Sequence, residues 1–435
     1  MINGLRSFIR RWPLSVLLGT IALAFLVDLA ASNLNPPDER VAELIRPNYK
    51  VGDDQFLREC HHLLNNPITA GGDPTILNNG DEIFPAMLDA IKGAKTSVCF
   101  ETFVYWSGDI GMQFAEALAA KAREGVPVHV LVDWLGSKIL DAEEEKLMRE
   151  AGVELQIYRP MSWYHLGKMN HRTHRKIMVV DGTTGFTGGV GIADDWLGNG
   201  EQEGQWRDFH FRFTGKIVGE IQATFTRNWI KATGRLLQGE TYFPSMEGRE
   251  AGEIAMQCFH SSPSEGAEAV RLVYLLMIES AAKSLDISAA YFVPDPLVQQ
   301  ALIEARKRGV RIRVLVPGEH MDVEAVTRAS REMWGDLLSA GIEIYRYKPS
   351  MFHCKAFIAD NMMVSIGSAN FDNRSFQLND EMNVNVFDRG FAEKMTQVLE
   401  DDLTRSYPVS LEDWKNRPWH EKASDWFSSK FAPQL

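Results

Sequence analysis

The 435-residue sequence predicts an α/β fold made of two similar halves, each a mixed sheet flanked by helices. Three observations predict it. Apolar strand-like runs alternate with helical periodicity along the chain. Each half repeats the order strand, helix, strand, helix, strand. Each half then ends in one copy of a His-x-Lys-x4-Asp motif, "HRKIMVVD" from His174 and "HCKAFIAD" from His353. From His174 to Gly188 is 14 residues, and from His353 to Gly367 is also 14. Equal spacing of that kind points to duplication.

The N-terminus differs in kind from the rest. Arg6, Arg10 and Arg11 precede "WPLSVLLGTIALAFLVDLAAS", in which only Asp28 is charged between Trp12 and Ala31. As a helix this stretch spans roughly 30 Å, the thickness of a bilayer core. It fits a cleaved signal peptide or a retained anchor. An aspartate near the interface is tolerable and no clean A-x-A ending follows, which favours the anchor. The arginines then stay cytoplasmic and the rest of the chain lies against the outer face. Residues 1–32 are thus the anchor and 33–50 a polar connector, "NLNPPDERV" among them.

The first half, 51–250, holds "AKTSVCFETFVYW", "GMQFAEALAAKAREGV" and "VPVHVLVDW": strand, helix with Gly125 as its stop, strand. The second half, 251–412, answers with "AKSLDISAAYFVP", "PLVQQALIEARKRGV" and "VRIRVLVPG". The first half carries an insertion around "MSWYHLGKMN", and residues 161–169 are expected to rim the site they lead into. Residues 413–435 form an aromatic tail. Trp419, Ala423, Trp426, Phe427 and Lys430 fall on one side of a helix there. This helix either lies in a lipid interface or docks its aromatic face on the domain; its mixed charges favour docking.

Formal net charge is −12, which counts against nucleic acid as a partner. The four cysteines show no CxxC spacing and read as buried apolar residues.

Side chains on a strand alternate faces, so His174 and Lys176 point together while Arg175 points away. His353 and Lys355 do the same, with Cys354 opposite. If the halves pair about a pseudo-twofold axis, two imidazoles and two ammonium groups converge in one shared site. That set suits a phosphodiester. The lysines offset the charge that builds on phosphorus oxygens. One imidazole can attack phosphorus while the other protonates the leaving alcohol. Lysine charge does a metal's work here, and His-x-Lys offers no set of three or four ligands, so neither metal nor cofactor is expected. Asp181 and Asp360 follow their histidines by seven residues, which turns them away from the histidine face and toward a strand-end role. A nucleophilic histidine needs a carboxylate to orient its ring. Asp208 in "WRDFHFRF" and Glu381 in "LNDEMNVNV" are the better-placed supporting candidates.

The paired motifs, with "GSANFDNRSFQLNDEMN" after the second, resemble the phospholipase D superfamily. "NNGDEIFPAMLDAIKGAKTSVCFETFVYWSGDIG" and "FTGGVGIADDWLGN…WRDFHFRFTG" resemble, more narrowly, bacterial cardiolipin synthases of the two-motif type. The likeness covers roughly residues 50 to 415. It implies two phospholipase D-like halves and a ping-pong transfer through a phosphatidyl-histidine. It marks His174, Lys176, Asp181, His353, Lys355 and Asp360 as catalytic, with His174 the nucleophile and His353 the acid and base. Ser368 and Asn370 of the "GSAN" run become substrate-binding candidates. The first half departs here, because the position 17 residues after His174 is Gly191. The implied substrates are phosphatidylglycerol and other membrane phospholipids, with cardiolipin and glycerol as products, at the bacterial inner membrane. The rival readings are a hydrolase with water as acceptor and a phosphodiesterase-type nuclease.

Overall fold

The chain's architecture comes from a computed structural model that describes residues 18–24, 26–28, 41–161, 170–246, 252–263 and 268–434. The first half holds β1 (Thr75–Asn78), β2 (Val98–Thr102), β3 (Val128–Asp133), β4 (Glu154–Tyr158), β5 (Ile177–Val180), β6 (Thr184–Gly188), β7 (Trp206–Arg207) and β8 (Phe209–Thr214). The second holds β9 (Ala255–Ser261), β10 (Ser284–Ala289), β11 (Phe292–Val293), β12 (Arg311–Pro317), β13 (Glu343–Tyr347), β14 (Met351–Phe352), β15 (Lys355–Ala359), β16 (Met363–Gly367), β17 (Phe371–Asp372), β18 (Glu381–Phe387) and β19 (Ser406–Pro408).

One sheet runs β4-β3-β2-β5-β6-β8-β1 and the other β19-β13-β12-β10-β15-β16-β18-β9. Strand for strand the two orders are the same, apart from β19 added at one edge. In each sheet the first three shared strands are parallel and the next four antiparallel. The sequence prediction of a duplicated mixed sheet therefore holds.

The helices are α1 (Asp54–Leu63), α2 (Asn79–Gly93), α3 (Asp109–Arg123), α4 (Ala142–Glu150), α5 (Ile217–Thr233), α6 (Ala269–Ser280), α7 (Pro296–Lys307), α8 (Glu324–Ser339), α9 (Asn373–Gln377), α10 (Arg389–Thr404), α11 (Leu411–Lys415) and α12 (Trp419–Ser429). The crossover α7 shows why such segments are helical. Asp295 caps it by accepting from the N–H groups of Leu297 and Val298, and Pro296 fills its first turn. Past its end Gly309 adopts φ 96°, as Gly125 does after α3 at φ 87°. No L side chain adopts that conformation cheaply, so the glycines stop the helices.

Each sheet has an outer core under its crossover helices. Phe84, Phe114 and Leu118 cover Phe100 and Val130 in the first half. Val298, Leu302 and Trp334 cover Ile287 and Val314 in the second. A third core lies between the halves and mixes their residues: Phe211, Phe213, Phe225 and Trp229 with Ile366, Met382, Val384 and Met395. Each such side chain contributes about 1.5–3 kcal/mol by leaving water, so the halves form one cooperative body. The four cysteines are buried and free, as the sequence implies.

Two expectations need correcting. The segment expected to open the first half belongs to the second half's core, because Val51, Phe56, Cys60 and Leu64 pack with Phe259 and Val270. The C-terminal helix does not dock its aromatic face. Trp419, Trp426 and Phe427 are 81%, 55% and 61% exposed, while Asp425 is buried. Asp425 accepts two bonds from Arg331 of α8 at 2.7 and 2.8 Å. A paired charge, not apolar contact, sets the helix's rotation. The expected anchor lies mostly outside the described residues. Residues 18–24 and 26–28 within it are helical. No helix among the described residues is long and apolar enough to cross a membrane. The insertion expected to rim the site lies outside the described residues from 162 to 169.

Candidate active site

Both motif histidines enter at the seam, just before their strands rather than within them. Thr173 forms a parallel bridge with Asp380, and the His174 N–H donates to the Asp380 carbonyl at 2.9 Å. In the second half β14 pairs with β7 in parallel, and the His353 N–H donates to the Arg207 carbonyl at 2.8 Å. Each histidine's backbone is thus sewn to the other half.

The side chains cross over likewise. His174 Nδ1 lies 3.1 Å from both carboxylate oxygens of Glu381. His353 Nδ1 lies 2.7 Å from Asp208 Oδ2. Asp208 and Glu381 were legible as ring-orienting acids; that each serves the opposite half's histidine was not. The acids are fixed in turn. Ser368 and Ser375 hydroxyls donate to Glu381 at 2.5 and 2.8 Å. The Trp196 indole N–H donates to Asp208 at 3.1 Å, and the Phe209 N–H at 2.9 Å. An aromatic ring faces each imidazole: Phe103 at 5.3 Å from His174, Trp196 and Trp206 at 5.3 and 5.2 Å from His353.

Lys176 Nζ donates to the His174 carbonyl at 2.9 Å, and Lys355 Nζ to the His353 carbonyl at 2.6 Å. The i to i+2 alternation therefore holds, and Arg175 and Cys354 bury on the far side. Arg175 there donates to the carbonyls of Glu381, Thr224 and Ser261. The two motifs form one electrostatic cluster. Burial, then the charge of Lys355, lowers Lys176 to about 7. Burial, opposed by Glu381 and aided by Lys176, lowers His174 to about 4. Burial and Lys355 hold His353 well below the ordinary histidine value, and Lys176 and His174 add to the effect. Burial also raises Asp208 to about 6. Glu381 goes the other way: burial would raise it, but His174, Lys176 and Ser368 outweigh that and lower it.

Asp181 and Asp360 stand apart from this cluster. Both adopt positive φ, 55° and 53°. The Asp181 carboxylate accepts the backbone N–H groups of Lys95, Thr96 and Ser97. The Asp360 carboxylate accepts those of Ala282, Lys283 and Ser284. Each ties a hairpin turn to the start of a parallel strand. Asn370 is buried, and its Oδ1 has no hydrogen-bond partner among the described residues. Its N–H donates to Ser375 Oγ at 3.0 Å. Among the described residues no three His, Cys, Asp or Glu side chains gather as metal ligands.

Sequence reasoning missed Trp196 and Ser375. A signal existed, since each follows its motif histidine by 22 residues. Unlike residue types hid the equivalence.

Comparisons with known proteins identify the family. A family described as "Cardiolipin synthase, PLD-like domain" matches residues 87–229 and 274–403. A cardiolipin synthase of Alkalihalophilus pseudofirmus is 33% identical over 409 residues, 92% of this chain and 81% of that protein. One from Halalkalibacterium halodurans is 32% identical over the same shares. Among solved structures, the phosphatidylserine synthase of Haemophilus influenzae aligns with a TM-score of 0.63 at 14% identity, over 87% of this chain and 97% of that one. At that identity it supports the fold alone. With matches across both halves, the chain belongs to the cardiolipin synthase family of phospholipase D-like proteins.

Proposed function

We propose that this protein is a cardiolipin synthase that moves a phosphatidyl group between two phosphatidylglycerol molecules, giving cardiolipin and glycerol. One observation carries the mechanism: two buried imidazoles in one cluster, each held at Nδ1 by a carboxylate from the opposite half. A carboxylate at Nδ1 takes that N–H and leaves the lone pair on Nε2.

In the first step His174 Nε2 attacks phosphorus. The bond to the glycerol oxygen breaks, and that oxygen takes a proton from His353. In the second step the terminal hydroxyl of another phosphatidylglycerol attacks. Its proton goes to His353, the new P–O bond forms and the P–N bond breaks. The electrostatics favour this division. Glu381 stays ionised and stabilises positive charge on an attacking His174. Asp208, near 6, shares a proton with His353 more readily, which suits an acid and base. An arriving phosphodiester anion raises both imidazoles toward protonation. Lys176 and Lys355 face the equatorial oxygens. Asn370 and Ser368 serve the phosphate side, and Asp181 and Asp360 brace the strand ends without touching substrate.

In this reading the enzyme works at the bacterial inner membrane, anchored by residues 1–32, with its catalytic part on the outer face. Protease access in spheroplasts tests the side. The activity is tested with purified protein and labelled phosphatidylglycerol. Cardiolipin with free glycerol is expected; phosphatidic acid as the dominant product would establish the hydrolase instead. A chiral thiophosphate donor should react with net retention, because two in-line displacements occur. Inversion would remove the covalent step.

A further inference from the structure

A cavity of about 300 Å³ opens beside His353, lined by Asp195, Gln205, Trp206, His320, Asp322 and Met351. It adjoins the reacting groups. The Trp206 ring is 5.2 Å from the His353 ring, and Asp322 is near enough to act on the charges of His353 and Lys355.

The duplication supplies a control, because the same positions at the His174 end carry opposite chemistry. Asp195 follows His174 by 21 residues, and Arg374 follows His353 by 21. Met351 precedes His353 by two residues, and Arg172 precedes His174 by two. Arg172 is buried 3.5 Å from Asp133. Arg374 donates to the Asn170 carbonyl at 3.0 Å, to the Asn170 Oδ1, and to Asn379 Oδ1 at 3.3 Å. Asp322 puts a second carboxylate at the His353 end, where it accepts from the Tyr291 hydroxyl. At these positions one end of the pseudo-symmetric site carries two arginines with Asp133 and Asp372 beside them, and the other carries two carboxylates with His320.

We infer that this cavity is the headgroup subsite, binding an uncharged polyol first as the leaving alcohol and then as the acceptor. The inference rests on the transferase reading and deepens it. In-line displacement places nucleophile and leaving oxygen on opposite sides of phosphorus. With His174 attacking, the leaving glycerol lies at the His353 end. Reversal of the same geometry brings the acceptor hydroxyl to the same place. Carboxylates accept O–H bonds from a polyol, while they repel a second phosphate. The acceptor's own phosphate stays outside, and the donor's phosphate remains on the arginine side.

The test uses the full chain in vesicles containing labelled phosphatidylglycerol and reads the ratio of cardiolipin to phosphatidic acid. Both products leave one intermediate, so the ratio does not depend on how much enzyme is folded. Asp195→Asn and Asp322→Asn should each lower it about tenfold, the effect of losing one strong hydrogen bond. Arg374→Gln should lower both products together and keep the ratio. Transfer to free glycerol in water should fall in parallel. A fall with vesicles alone would locate the defect at the lipid surface and overturn the inference. So would an unchanged ratio in both cavity variants, or a ratio moved by Arg374→Gln instead. If the wild type makes no cardiolipin, the transferase reading fails by itself. The subsite is then read from the leaving group: the preference for phosphatidylglycerol over phosphatidylbutanol should drop about tenfold in Asp195→Asn, and an undiminished preference refutes it.

Discussion

Twenty-two residues after its motif histidine the first half places Trp196, and the second places Ser375. Each donates a hydrogen bond to its own half's carboxylate, Asp208 or Glu381. The role is shared while the side chains differ, and neighbouring positions show why. Ser368 donates to Glu381, but its counterpart Gly189 has no room for a side chain, since a Cβ there would sit 2.3 Å from Asp208 Oδ1. The shorter acid sits close against a bare backbone and is steadied by a large indole. The longer acid reaches across a pocket of small hydroxyls. Duplication has kept the positions and exchanged the means. The two imidazoles thereby acquire unlike acids, one held ionised and one raised toward neutrality.

The comparison breaks first at the histidines. His174→Ala should abolish the phosphoenzyme and reduce turnover by on the order of 10⁴-fold. His353→Ala should lose a similar factor with phosphatidylglycerol. It should still form the phosphoenzyme from a substrate whose alcohol is a good leaving group, because no acid is then needed. An alkaline quench, in which a P–N bond to histidine survives, and peptide mapping read both. Label on His353 that survives His174→Ala would reverse the two ends and leave the chemistry intact.

The acids come next. Glu381→Gln and Asp208→Asn should each cost about 10–100-fold, as loss of an orienting carboxylate does elsewhere. The defects should separate by step. Glu381→Gln should slow burst formation of phosphoenzyme even with a good leaving group, whereas Asp208→Asn should spare that burst and slow turnover of phosphatidylglycerol. Identical step profiles would mean that the halves are functionally interchangeable.

How far these parts were legible follows from their range. The sheets were readable because alternation and helical period are local. The His-x-Lys pairs were readable because a period of two is local as well. The crossed carboxylates join residues 207 and 145 positions apart, and nothing in either half's own pattern says which histidine each acid meets. Residues 51–64 misled because they precede the first half in sequence yet pack in the second. The tail misled because an aromatic stripe ordinarily marks a buried face, whereas here the Arg331–Asp425 pair fixes the orientation. The headgroup cavity draws on four separate segments and has no motif of its own.

A pH profile sharpens the comparison further. Lys176 loses its proton near 7 in the free enzyme, burial and Lys355 being the causes. A lowered lysine is charged below that value and neutral above it. kcat/KM should therefore fall as pH rises through about 7. At the acid end His174 gains a proton near 4 and ceases to be a nucleophile. The expected profile is a bell whose alkaline limb combines loss of the Lys176 charge with loss of the His353 proton. Lys176→Arg should remove the Lys176 part of the alkaline limb at some loss of rate, because a guanidinium keeps its charge throughout. An alkaline limb that persists unchanged in Lys176→Arg would assign it to another group.

The smallest expected effect concerns the two aspartates that close the motifs. Asp181 and Asp360 have matching geometry, each accepting three successive backbone N–H groups from a positive-φ turn. Asparagine tolerates that backbone conformation, so substitution removes charge without adding strain. Asp181→Asn and Asp360→Asn should each cost about 1–2 kcal/mol of stability, with turnover per folded molecule near that of the wild type. The pH dependence can be worked for Asp181. Burial would raise its carboxyl, but the N–H groups of Thr96, Lys95 and Ser97 outweigh that and hold it below the ordinary value. Its contribution is then full above the unfolded value, about 3.9, and is lost as pH falls through the folded one. The gap in denaturation midpoint between wild type and Asp181→Asn should be present at pH 7 and close in acid. A loss of turnover comparable to His174→Ala, in a variant that remains folded, would return Asp181 to the reacting groups and separate it from its counterpart in the second half.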